Sequence, residues 1–134
     1  MRVTNVAKVA QVADVSEKNN FYFQYPVHTH SVIARIASVL MKMITGESPH
    51  PEIFQTVRTA FEFLKSVSQE SISDFETLTV LRILHQLGYI ARDSVTETFL
   101  QNPTEWSIEL LKKITESRTV LIGLINKGLA ESQL

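Results

Sequence analysis

The stretch that decides the fold reads SDFETLTVLRILHQLGY and covers residues 73–89. Ser73 and Glu76 have the spacing of a capping box, in which the hydroxyl and the carboxylate satisfy free backbone amides, so a helix is predicted to begin there. Gly88 stands where a left-handed residue would end it. Apolar residues occupy most of its faces: Phe75, Leu78, Val80, Leu81, Ile83, Leu84 and Leu87. Because a helix that is apolar nearly all round must be surrounded by others, it is predicted to form the centre of a bundle.

Amphipathic helices are predicted on both sides of this central helix. Apolar residues recur at helical spacing from about Thr29 to Gly46, and again from Pro51 to Val67. A short helical turn is predicted around residues 95–100. Two further helices carry Trp106, Leu110, Leu111 and Ile114, and then Val120, Leu121, Leu124, Ile125 and Leu129. The predicted fold class is therefore all-α, a small bundle of about five helices around a central apolar helix.

The N-terminal part has a different pattern. Residues 2–13 mix β-branched and short polar residues, which favours a strand, although no second strand is predicted to pair with it. A polar loop at 16–20 and an aromatic run at 21–25 follow, and the aromatic rings are expected to dock on the helices. The predicted division is a residual strand and linker at 1–28 and a helical domain at 29–134.

Length and composition agree with one intracellular domain. A chain of 134 residues with 44% hydrophobic and 20% charged residues can bury a single core. The absence of cysteine excludes disulfides and thiolate zinc sites and fits a reducing compartment, so the cytoplasm is the expected location. The net charge of -1 gives no overall field for a polyanion, so any DNA contact must depend on a local patch or on another domain.

The sequence offers little for catalysis. His28 and His30 have a spacing that two metal ligands could share, but no cysteine or acidic residue lies nearby, so capping or surface histidines are the favoured interpretation. The glycines are placed as helix stops or packing positions, and the carboxylates are dispersed over helix surfaces. We therefore expect no enzyme activity, no cofactor and no metal.

Basic residues form two ridges. Arg35 and Lys42 are seven positions apart on one helix, and Arg58 and Lys65 have the same spacing on the next, so each pair lies on one face. If the ridges border an apolar groove, they would suit a peptide with acidic and hydrophobic residues. The alternative, that they are merely solvated surface charges, remains open.

The string from Val80 to Ile90 resembles the helix ending in Leu-Gly-Tyr that is typical of the RecO family of bacterial recombination mediators. The resemblance extends to the upstream helix that Pro51-Glu52-Ile53-Phe54 opens and to the C-terminal stretch at 124–134, so it covers nearly the whole chain. It implies an N-terminal OB-fold before this helical domain, with Arg2-Val3-Thr4-Asn5 as the end of its last strand.

The resemblance also implies a role in DNA repair and recombination. Such mediators bind DNA, mainly through the OB-fold, and work with RecR and with the acidic tail of the single-stranded-DNA-binding protein. The chain departs from the family in lacking the four-cysteine zinc module that many relatives insert after Leu-Gly-Tyr. Its central helix also begins with acidic residues where some relatives place arginines. The candidates for a basic, partner-binding rim are Arg35, Lys42, Arg58, Lys65 and Arg82, none of which matches a family motif.

Two other functions compete with this one. The chain could be a purely structural or oligomerisation bundle that supports an adjacent OB-fold. A small metal-dependent enzyme that uses His28 and His30 is the third hypothesis, and it requires tight zinc binding.

Overall fold

A computed structural model describes residues 25–43 and 50–132, and these form an all-α bundle. Its α-helices are α1 (His30–Met43), α2 (Pro51–Leu64), α3 (Ile72–Gln86), α4 (Glu97–Leu100), α5 (Ile108–Glu116) and α6 (Arg118–Ser132). Turns of 3-10 helix, Val27–Thr29 and Gln69–Ser71, precede α1 and α3. The predicted all-α class is confirmed, whereas the predicted N-terminal β segment lies outside the described residues. None of the helices within 25–43 and 50–132 has both the length and the apolarity to cross a membrane.

Helix α3 is the centre of the bundle, as predicted from its apolar faces. It packs against α1, α2, α4, α5 and α6. Its fully buried apolar side chains are Phe75, Leu78, Leu81, Ile83 and Leu84. Each such side chain stabilises the fold by roughly 1.5–3 kcal/mol relative to exposure, so the surrounding helices are held chiefly by this one.

Contacts near the ends of α3 fix the directions of its neighbours. The rings of Phe63 and Phe75 lie 6.4 Å apart, while Gln86 Nε2 donates to the carbonyl of Glu52 at 3.4 Å, so α2 runs antiparallel to α3. Arg118 pairs with Asp74 near the start of α3, and a Cβ on Gly128 would lie 3.4 Å from Leu84 near its end. Helix α6 therefore runs parallel to α3.

The C-terminal end of α3 confirms the predicted glycine stop. Gly88 has a φ of 92°, in the left-handed region that favours glycine. The amide of Tyr89 donates to the carbonyl of Leu84 at 2.9 Å, and that of Gly88 donates to the carbonyl of His85 at 3.0 Å. These two bonds make a Schellman motif, which satisfies carbonyls that the helix would otherwise leave free.

The predicted capping box at the other end of α3 is wrong. The helix begins at Ile72 after the cap residue Ser71, so Ser73 lies inside the first turn, and Ser71 makes no side-chain capping bond. Glu76 reaches across to Arg35 instead of returning to the backbone. Since the 3-10 turn at Gln69–Ser71 leads directly into the helix, the start is set by the preceding chain and not by the Ser73–Glu76 pair.

The residues just before α1 also pack against the helices. Tyr25 is buried, and its ring meets that of Phe61 edge-on at 6.3 Å. The predicted docking of the aromatic run on the helices is thus confirmed for Tyr25. His28 Nε2 donates to the carbonyl of Val67 at 3.0 Å, which places the start of α1 at the end of the bundle where α2 finishes and α3 begins.

Candidate binding groove

An open groove of about 440 Å³ lies over α3, between α1 and α6. Both of those helices pack on α3, and the groove lies between them. The lining side chains are Arg35, Ser38 and Val39 from α1, Ser73, Glu76, Thr77 and Val80 from α3, and Ile122, Ile125 and Leu129 from α6. The groove is therefore built from three helices, with α3 as its floor.

Helical periodicity explains why each helix contributes one line of side chains. On α3 the positions 73, 76, 77 and 80 follow the spacing i, i+3, i+4, i+7, which places them on a single face. Positions 35, 38 and 39 of α1, and 122, 125 and 129 of α6, share faces in the same way. Each of the three helices thus contributes one row of side chains to the groove.

The surface of the groove is mainly apolar. Val80 on the floor and Ile125 on the α6 wall are buried, with 7% and 8% of their surfaces exposed. Ile122 stands at the α6 wall and is 39% exposed. Covering this isoleucine would remove further apolar surface from water, at roughly 25 cal/mol per Å², so the groove favours a ligand with aliphatic or aromatic side chains.

One ion pair crosses the polar side of the groove. Arg35 Nε donates to Glu76 Oε2 at 2.7 Å, and Arg35 Nη2 donates to Glu76 Oε1 at 2.9 Å. The hydrogen bond to Glu76 raises the pKa of Arg35 above its ordinary value, and the charge of the carboxylate adds to this effect. Lys42 lies on the same face of α1, nearly two turns further along, and is exposed.

The structure separates the five predicted rim residues. Arg35 lines the groove and Lys42 extends its face of α1, but α2 contributes nothing to the lining. Arg58 on that helix donates to Gln55 at 2.9 Å. Lys65 forms an ion pair with Glu62 at 3.6 Å and lies 5.6 Å from the centre of the Tyr25 ring. The two basic ridges therefore do not border one groove, and only the α1 ridge lies beside the apolar lining.

Arg82 is not an exposed rim residue, so this part of the prediction is wrong. Only 1% of its surface is exposed. Its Nε donates to the carbonyl of Phe99 at 2.8 Å, and Nη1 donates to the carbonyls of Glu105 at 2.7 Å and Pro103 at 3.3 Å. Its guanidinium also lies 4.5 Å from the centre of the Trp106 ring. Arg82 thus holds the segment between α4 and α5 against the central helix.

Burial has a clear electrostatic cost for Arg82. Desolvation lowers its pKa to about 10, and the nearby charge of Glu105 partly opposes the shift. The side chain therefore remains charged at neutral pH. Its carbonyl partners and the tryptophan ring replace the water that the cation loses.

The histidine pair contacts backbone carbonyls. His28 Nε2 donates to Val67, as described above, and His30 Nε2 donates to the carbonyl of Tyr25 at 3.1 Å. Each side chain thus helps to hold the start of α1. Within residues 25–43 and 50–132, no group of three or more histidine, cysteine or acidic side chains is placed to hold a metal ion.

The α6 wall was not predicted as a site. Val120 and Ile122 are 54% and 39% exposed, so apolar residues extend beyond the buried stripe of this helix. This excess was the available sequence signal, because a helix with a single packing face needs only one apolar stripe.

The chain matches no protein-family model, no curated protein and no solved structure.

Proposed function

We propose that this chain is a non-catalytic binding module that holds a short acidic and apolar peptide segment of a partner protein. The observation that carries the proposal is the apolar groove over α3, flanked on one side by the basic face of α1. Aliphatic side chains of the ligand would cover Ile122 and the groove base, while its carboxylates would face Arg35 and Lys42. Apolar anchors combined with complementary charge are a common basis of peptide recognition.

Charge supports an acidic ligand more than a basic one. Lys42 is exposed, and no ion pair is found for it within the described part of the chain. Arg35 is 55% exposed, so a ligand carboxylate can reach its guanidinium from solvent. A carboxylate beside these two cations would gain charge-assisted hydrogen bonds.

We further propose that the chain is a module of a RecO-like bacterial DNA repair and recombination mediator that acts in the cytoplasm. The ligand would then be the acidic tail of the single-stranded-DNA-binding protein, and RecR would be a second partner. DNA would be contacted mainly by the OB-fold that the resemblance implies. The net charge of -1 supports that division, because the helical chain has no general attraction for a polyanion.

Fluorescence anisotropy tests the groove. The probe is a short fluorescein-labelled peptide with a run of aspartates before a leucine–phenylalanine end, and we expect a dissociation constant on the order of micromolar that weakens as salt rises. Ile122→Glu should abolish binding. Val120→Glu is the control and should leave binding unchanged, because it makes the same change at an exposed position of α6 outside the lining. Lys42→Ala should weaken binding more than Lys113→Ala on α5. If all four variants bind the probe equally, the groove is not the peptide site.

A purely structural or oligomerisation role is the second candidate, and the exposed Val120 and Ile122 favour it. In that case the same face of α6 would be covered by an adjacent domain or a second copy of the chain. Light scattering after size-exclusion chromatography separates the two functions. A concentration-dependent dimer that Val120→Glu and Ile122→Glu both dissociate, with no peptide binding, would support the structural role.

A further inference from the structure

The charged residues that line the groove are Arg35 and Glu76, and they neutralise each other. The carboxylate of Glu76 lies against the Nε and Nη2 edge of the guanidinium, with both of its oxygens accepting. This side-on, bidentate arrangement is also the one in which arginine best binds a carboxylate from another molecule. Glu76 therefore occupies the edge of Arg35 that is best suited to an acidic ligand.

An acidic ligand meets two obstacles because of this pair. The preferred edge of Arg35 is filled, and the Glu76 carboxylate repels a second carboxylate that approaches the same guanidinium. Neither obstacle is rigid, since the Arg35 and Glu76 side chains are 55% and 25% exposed and can reach water when the pair separates. The pair can therefore open without burying an unpaired charge.

We propose that Glu76 is an internal competitor for the ligand carboxylate and so lowers the affinity of the groove for acidic peptides. This inference rests on the proposed function, since it concerns the regulation of the same groove. A ligand carboxylate replaces Glu76 on Arg35, and Glu76 turns to solvent. The pair thereby lowers the affinity for acidic peptides only, because a peptide with apolar residues alone does not need to break it.

The test measures the same fluorescein-labelled peptide, and a matched peptide with asparagine in place of aspartate, on wild type and Glu76→Gln. The substitution keeps the size of the side chain but removes the competing charge. We expect the acidic peptide to bind about fivefold tighter, which corresponds to the upper range measured for exposed ion pairs, and the asparagine peptide to bind unchanged. Glu62→Gln is the matched control, because it raises the net charge equally on α2, away from the groove.

Glu76→Asp separates competition from simple repulsion. Aspartate keeps the negative charge on a shorter side chain, so it weakens the bidentate pairing while the repulsion remains. Competition predicts tighter binding of the acidic peptide to Glu76→Asp than to wild type, whereas repulsion alone predicts no gain. Thermal melts followed by circular dichroism check that every variant is folded.

The outcomes also distinguish a failure of the competitor role of Glu76 from a failure of the peptide groove. Binding that requires Ile122 but is unchanged or weaker in Glu76→Gln overturns the competitor and leaves the peptide groove standing. Binding that appears only in the Glu76 variants supports both. A probe that fails to bind wild type, Glu76→Gln and Glu76→Asp alike refutes the groove and the competitor together.

Discussion

Replacing Arg82 with methionine is expected to lower the free energy of unfolding by about 3 kcal/mol. Methionine approximates the length and volume of the arginine stem, so the packing is largely kept while the donors are removed. The carbonyls of Phe99 and Glu105, which accept from Arg82 at 2.8 and 2.7 Å, then lose their partner. The bond to Phe99 is buried, so its carbonyl left without a donor costs about 1–3 kcal/mol, whereas the bond to Glu105 is only partly buried and contributes less.

Two further terms act in opposite directions. Loss of the cation over the Trp106 ring costs about 0.5–2 kcal/mol. Methionine, however, has no charge to desolvate, and this recovers part of the penalty that lowers the pKa of Arg82. Full compensation of the kind seen when a buried ion pair is replaced by apolar residues is not expected, because here the carbonyl partners stay in place.

Urea unfolding followed by two signals provides the measurement. Trp106 is the sole tryptophan and lies within the Arg82 contacts, so its fluorescence reports the local arrangement, while far-UV circular dichroism reports the helices as a whole. Arg58→Met is the control, since Arg58 is exposed and, among the residues that the structure describes, donates only to Gln55; a change within about 0.5 kcal/mol is expected. If Arg82→Met is as stable as wild type, water satisfies the freed carbonyls and the reasoning is refuted.

Three further predictions concern backbone conformation and surface charge. Gly88→Ala should destabilise the fold by about 1–2 kcal/mol through its left-handed backbone alone, because no other described residue apart from its chain neighbours has an atom within 4 Å of the added Cβ. Gly123→Ala, also in open space but inside α6, should instead stabilise by about 0.5–1 kcal/mol, and equal signs in urea unfolding would contradict this contrast. The pKa of Glu97 lies below its ordinary value of 4.5, first because Arg92 donates hydrogen bonds to it. Its contribution to stability is therefore present above that value and lost as pH falls through the lowered one, so thermal melts of wild type and Glu97→Gln should converge in acid.

Sequence patterns predicted the central helix because its main determinants are local. The apolar residues of α3 recur without regard to a single face, and no other arrangement than a surrounded helix removes them all from water. Gly88 could be assigned for a similar reason, since a left-handed residue after the last apolar position is recognisable from the chain itself. These features do not depend on which helices pack against α3.

Predictions about polar side chains failed where partners are distant in sequence. Glu76 has the right spacing to cap its own helix, yet it lies beside Arg35 from α1 and binds that residue instead. Arg82 was a candidate for the basic, partner-binding rim, but the segment before α5 brings backbone carbonyls and the Trp106 ring to it. Neither partner is visible from the sequence around the residue.

The sequence by itself determined that the chain folds as a helical bundle around α3 and that the helix ends at Gly88, because helical period and backbone conformation are encoded by neighbouring residues. Only the tertiary structure decided which side chains meet. It buried Arg82, paired Arg35 with Glu76, and left the strip of α3 between α1 and α6 open, with Ile122 beside it. The physical reason is that a groove is the space that packed helices fail to fill, and that space depends on where three separate segments lie.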